Sequence, residues 1–154
     1  MSDFVIHPIG FVRSSRQAAT DDSWGLVRAV IELDPTQIDS DATAGLDTFS
    51  HLEVTFLFDR VEPHNVCRGS RHPRGNTAWP RVGILAQRGK DRPNRLGSTT
   101  CRVVRVDGLR VEVGGLDAID GTPVLDIKPY MVGFAPRGDV HEPAWAGELM
   151  AGYW

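Results

Sequence analysis

A chain of 154 residues and 16.9 kDa is about one domain's worth of sequence, and with 41% apolar and 24% charged residues it is too apolar to be a disordered polymer. The two cysteines, Cys67 and Cys101, exclude a disulfide framework and an all-cysteine zinc site. No apolar run reaches the roughly 18 residues of a membrane-spanning helix. The net charge of −3 speaks against nucleic acid, but residues 60–110 carry twelve basic and three acidic side chains between flanks of −7 and −5. Eleven of the twelve are arginine, whose planar fork suits phosphate or carboxylate. The block is a candidate anion-binding surface if the acidic flanks do not consume it on folding. The N-terminus, MSDFVIHPIG, lacks a signal-peptide pattern, so the cytoplasm is the expected location.

Taken in chain order, apolar alternation and β-branched runs predict strands over residues 6–12, 26–33, 54–61, 81–87, 98–106, 109–113 and 122–128. The fifth and sixth form a hairpin through Asp107-Gly108. Residues 34–46 can hold a helical turn or two, with Asp34 as N-cap and Pro35 at the first position. Sixteen glycines and ten prolines make long helices unfavourable. Residues 63–80 lack any apolar period and read as a long surface loop. The fold class is therefore all-β, a barrel or a sandwich of six to seven short strands with long polar loops. A single domain spans 1–154, with a core over 5–132 and a Gly/Pro-rich tail over 133–154. In that tail Trp145, Tyr153 and Trp154 are expected to dock on the body or on a partner subunit.

The histidines show no zinc-ligand spacing, so no metal site is expected, and Walker A, G-x-S-x-G and Rossmann glycine patterns are all absent. Two polar stretches remain. Arg88 to Gly97 (RGKDRPNRLG) is too turn-rich for a core; its composition fits an anion cradle and a solvated loop equally. Asp126 and Lys128, two apart on a strand, share a face. They read either as a surface ion pair or as a polar cluster lining a pocket with Tyr130.

Four blocks, PIGFVRS, FSHLEVTFLFDR, RVGILAQR with RPNRLG, and GLDAIDGTPVLDIKPY, resemble in order the TrmO-type tRNA methyltransferases, the TsaA-like family, over residues 8 to 132. The resemblance implies an S-adenosylmethionine (SAM)-dependent methyltransferase on a closed or nearly closed β-barrel of six to seven short strands with long polar loops. It would methylate N6 of threonylcarbamoyladenosine in a tRNA anticodon loop and work as a homodimer with SAM near the interface. Carried over by motif, the cofactor positions are Ser23, Trp24 and Gly25; Asp59 and Arg60; Arg88, Gly97 and Ser98; and Leu116, Asp117, Ala118 and Ile119. Asp126, Lys128 and Tyr130 match the Asp-x-Lys-Pro-Tyr signature and are the expected catalytic group. Arg74, Trp79, Arg92 and Asn94 are the expected tRNA contacts, with Trp79 and Trp24 as stacking platforms.

The chain also departs from that pattern. Arg95-Leu96 stands where the family usually has Pro-Ile, Glu53 where it has an aromatic residue, and Thr55 where it has an aliphatic one. Two further readings follow: a methyltransferase of the same fold acting on a small molecule or another RNA, and a non-enzymatic RNA-binding β-module.

Overall fold

The computed structural model describes residues 1–154. Six antiparallel strands close a barrel in the order β1-β2-β7-β6-β3-β8, with β8 returning to β1. They are β1 (Gly10–Ser14), β2 (Arg28–Leu33), β3 (His51–Leu57), β6 (Leu96–Asp107), β7 (Arg110–Gly114) and β8 (Pro123–Pro129). Two short strands, β4 (Ser70–Arg71) and β5 (Val82–Gly83), form a ribbon outside the barrel, and one short helix, α1 (Ala144–Met150), follows it. No helix is long and apolar enough to cross a membrane.

Period-two alternation fills the barrel. Leu52, Val54 and Phe56 point inward from β3, and Val12, Ile31, Val111, Val113 and Val124 join them, each at most 1% exposed. Full burial of such a side chain is worth about 1.5–3 kcal/mol. Leu116 and Ala118 belong to the same core although they lie in the loop after β7. That loop is fastened by backbone bonds from Gly115 to Val27, Asp120 to Arg16 and Gly121 to Val12.

Three expectations need correction. The first strand begins at Gly10 rather than Ile6: the ladders with β2 and β8 start there, and only Ile9 before it is tied in, donating to Val124 and accepting from Asp34 at 2.8 Å each. Phe4, Val5 and Ile6 are left largely exposed. The 81–87 run is no barrel strand: the barrel closes without it, and only Val82–Gly83 pairs, with β4, before a 3-10 turn over Ile84–Ala86. The β6–β7 turn is centred on Gly108-Leu109, since Asp107 pairs with Arg110. A positive φ at Gly108 alone, 57°, matches a glycine-first two-residue turn. Asp34 caps a single turn by accepting bonds from the Thr36 amide and hydroxyl, at 2.8 and 2.7 Å. The helix in the tail had no sequence signal that separated it from its Gly/Pro-rich surroundings.

Candidate functional site

The outer face of β8, β3 and β6 is polar and ordered in rows. Strand register sets Asp126 beside Thr55 and Thr55 beside Ser98; one row on, Lys128 lies beside Glu53 and Glu53 beside Thr100. His51 pairs with Arg102 in the next row and accepts a backbone bond from Tyr130. Adjacent strands are about 4.8 Å apart, so each row is about 10 Å wide. The face exists because of a bulge. Val124 and Ile127 both pack toward the core, which simple alternation forbids; the register slips at Leu125 and so turns Asp126 and Lys128 outward together. The two are ion-paired, Lys128 Nζ donating to Asp126 Oδ2. Glu53, half-buried, makes no hydrogen bond or ion pair.

At the Ser98 edge the chain brings the predicted cofactor segments together. Arg88, exposed, donates to the Ser98 carbonyl at 2.6 Å. Its neighbour Thr99 faces inward and donates its hydroxyl to Asp117 Oδ1. Tyr153 donates to Asp117 Oδ2. Burial, with the Asp117 charge behind it, pushes the Cys101 thiol up to about 12 and holds the Tyr153 hydroxyl well above its ordinary value. Both groups are therefore neutral at physiological pH, and Tyr153 is a donor. The backbone of Tyr153 reaches the other predicted turn: Trp24 donates to the Tyr153 carbonyl at 2.7 Å, and Ser23 to Gly152 at 3.0 Å. A cavity of about 210 Å³ opens beside it, lined by Gly25, His51, Thr100, Arg102, Gly115 and Trp154 among others.

The remaining predicted residues sort by exposure. Leu116 and Ala118 are buried in the core, side chain and backbone alike. Trp24 is 3% exposed, its indole N–H bonds Thr20, and the Arg16 guanidinium lies 4.0 Å from the ring centre. That ring is no platform for a base. Gly97 permits a close approach, but by Phe56 and Phe58: a Cβ there would sit 2.5 Å from the Phe56 ring. Arg60 bonds the carbonyls of Gln17 and Asp120, and Asp59 is exposed beside it. Arg92 bonds the Gln87 carbonyl, Arg74 pairs with Asp22 at 3.0 Å, and the Trp79 indole donates to Glu148 on α1 at 2.7 Å. Asn94 and Arg95 both hold positive φ, 60° and 53°. Proline cannot adopt such an angle, so this loop differs in backbone from the Asn-Pro form.

Only part of the arginine block is neutralised. Arg71 and Lys90 reach Asp91, Arg74 reaches Asp22, Arg105 reaches Asp107 and Arg110 reaches Glu32. Arg60, Arg81, Arg88, Arg92 and Arg95 bond neutral oxygens, and Arg68 and Arg102 bond nothing in the chain. Seven of the twelve cations thus keep their charge uncompensated. His51 and Thr100 carry no motif signal, and Glu53 and Arg102 only those of a family departure and of the arginine block. Their shared signal is the polar outward alternation of residues 51–55 in β3 and 98–102 in β6.

Known proteins share this architecture. A solved TrmO from Pseudomonas aeruginosa superposes with a TM-score of 0.73 at 29% identity, over 91% of this chain and 61% of that one. A second TrmO crystal structure gives 0.72 at 29% identity, over 92% of this chain and 64% of that one. The Escherichia coli tRNA (adenine(37)-N6)-methyltransferase is 36% identical over 141 residues, 85% of this chain and 59% of its own length. The human protein of that name is 38% identical over 100 residues, 64% of this chain and 22% of its own. A probable S-adenosyl-L-methionine-binding protein of Methanothermobacter thermautotrophicus is 35% identical over 136 residues, 84% of this chain and 93% of its own. This chain thus spans about a fifth of the human methyltransferase and about three fifths of the Escherichia coli one. The family model for the tRNA-methyltransferase O N-terminal domain matches residues 15–135, and the chain belongs to that family.

Proposed function

We propose that this chain is a SAM-dependent methyltransferase whose acceptor is N6 of a threonylcarbamoyl-modified adenine beside the anticodon of a tRNA. The observation that carries the reading is the junction at β6, where Arg88 meets Ser98 while the next residue, Thr99, holds Asp117 of the loop after β7. The donor set suits SAM. Arg88 offers an exposed, unneutralised guanidinium to a carboxylate, and Asp117 already accepts two hydroxyl hydrogen bonds, the pattern a ribose diol makes. When bound, SAM would supply a methyl group on a sulfonium centre, with the neutral thioether as the leaving group when the acceptor nitrogen attacks in line.

The chain's own work is to hold the acceptor near attack distance, exclude water and accept one proton. A new N–C bond forms as the C–S bond breaks, and the acceptor N–H proton leaves. Asp126 takes it on Oδ1, the oxygen that Lys128 leaves free. Lys128 fixes that carboxylate in place. The uncompensated arginines meet the phosphodiester backbone. We place the protein in the cytoplasm as a homodimer, with the exposed polar rows toward the partner and the site near their interface.

Glu53 favours one rival: its unpaired carboxylate on the Asp126–Lys128 face opposes a phosphate and would suit a small acceptor. One experiment separates the readings: calorimetric titration with SAM, then transfer of labelled methyl to modified tRNA. Binding and transfer are expected. Absence of binding at millimolar SAM sinks the methyltransferase, and binding without transfer to tRNA moves the acceptor to a small molecule.

A further inference from the structure

Residues 152–154 touch both turns on which the cofactor reading rests. On one side they continue a short ladder, Gly152 and Tyr153 accepting from the amides of Ser23 and Trp24. The fit there is close: a Cβ on Gly25 would lie 2.6 Å from the Trp154 carbonyl carbon, so any other residue at 25 pushes the segment off. On the other side the Tyr153 hydroxyl holds Asp117, whose second oxygen is held by Thr99. The segment is anchored from behind, because Glu148 on α1 accepts from Trp79. Trp154 stacks edge-on against Tyr153 with ring centres 4.9 Å apart, lines the 210 Å³ cavity, and is still 57% exposed. An indole that borders a cavity and remains half open is placed to cover something.

We propose that Tyr153 is a positioning residue for the cofactor site: it locks Asp117 to the Ser23–Gly25 turn, and Trp154 supplies the outer wall of the ligand cavity. This rests on the SAM reading above. Neither side chain takes part in the transfer itself. Asp126 lies in the same row as Ser98 but two strands away, about 10 Å, so the segment acts on affinity and not on the chemical step.

The test is SAM titration of wild-type protein, Tyr153→Phe, Asp117→Asn and Trp154→Ala. Tyr153→Phe keeps the ring and its packing but releases one hydrogen bond to a carboxylate, and is expected to weaken SAM about tenfold. The KM for SAM is expected to rise and kcat at saturating SAM to hold. Asp117→Asn combined with Tyr153→Phe is expected to cost little more than Asp117→Asn alone, since without the carboxylate the charged link to Tyr153 is already lost. Trp154→Ala, at an exposed position that cannot unfold the core, is expected to weaken SAM severalfold and keeps the test open if Tyr153→Phe fails to fold. Wild-type affinity in both Tyr153→Phe and Trp154→Ala overturns the proposal. So does tighter binding in either, which would make the segment a competing occupant. Wild-type protein that binds no SAM overturns the SAM reading and this one with it, an outcome distinct from normal wild-type binding with indifferent variants.

Discussion

Glu53 stands directly opposite Lys128 across the β3–β8 ladder, while Lys128 is ion-paired to Asp126 on its own strand. One ammonium therefore faces two carboxylates, and the Asp126 and Lys128 rows together keep a net negative charge beside an arginine-rich surface. Glu53→Gln is expected to tighten tRNA binding about twofold at low salt, an effect of the size exposed charges exert, and to leave the midpoint of unfolding unchanged. Filter binding across a salt series measures it. Weaker binding in Glu53→Gln would mean that the carboxylate contacts the acceptor instead of opposing it.

The Leu125 bulge supports a second prediction. Val124 faces the core, and an unbroken alternation would send Asp126 and Lys128 inward after it. Deleting Leu125 removes the unpaired residue, so Asp126 follows Val124 directly, opposite Thr55 and still outward, in a regular ladder. The variant is expected to keep cooperative unfolding in urea with Asp126 and Lys128 outward, whereas Leu125→Ala keeps the bulge and costs about 1–2 kcal/mol. A deletion variant that loses cooperative unfolding would show that the slip is not confined to Leu125.

The same bulge marks how far the sequence could be read. The all-β class and the β6–β7 hairpin followed from local alternation and a turn signal; the choice of a barrel over a sandwich followed from the family resemblance, since strand pattern does not show how a sheet closes. The shared face of Asp126 and Lys128 followed from their spacing, but its outward direction depended on an extra residue in β8, which no period announces. The 81–87 run failed for a related reason: its residues have strand character, and only closure of the other six strands denies them an edge. The link from Tyr153 to Asp117 joins residues 36 apart, beyond any local signal.

Asp91 ties the long loop to the turn before β6 and makes stability depend on acid. Burial alone would raise its pKa, but hydrogen bonds from Arg71 and Lys90, at 2.9 Å each, hold it below the usual range. A folded-state value below the unfolded one, near 3.9, means that the contribution is complete above about pH 4 and disappears as pH falls through the lowered value. Asp91→Asn is therefore expected to be less stable than wild type at pH 7 and to close that gap by pH 2–3. Urea midpoints at the two pH values check it; a gap that stays constant would show that the loss is packing and not charge.

Arg68 tests the electrostatic half of the RNA reading. It is exposed, it bonds no carboxylate or carbonyl, and it lies in the loop between β3 and β4, near the paired Arg71 and Arg74. A cation with no partner in the protein is free to displace a counterion from a phosphate, and each such contact adds about 0.7–0.9 to the slope of log affinity against log salt. Arg68→Gln is expected to lower the slope by about that amount and to weaken binding to all tRNAs alike. Arg105→Gln, which removes a cation already paired with Asp107 at 3.0 Å, is expected to change the slope much less. Equal effects of the two substitutions would mean that contact geometry does not follow unpaired charge, and the RNA would then have to meet another face of the barrel.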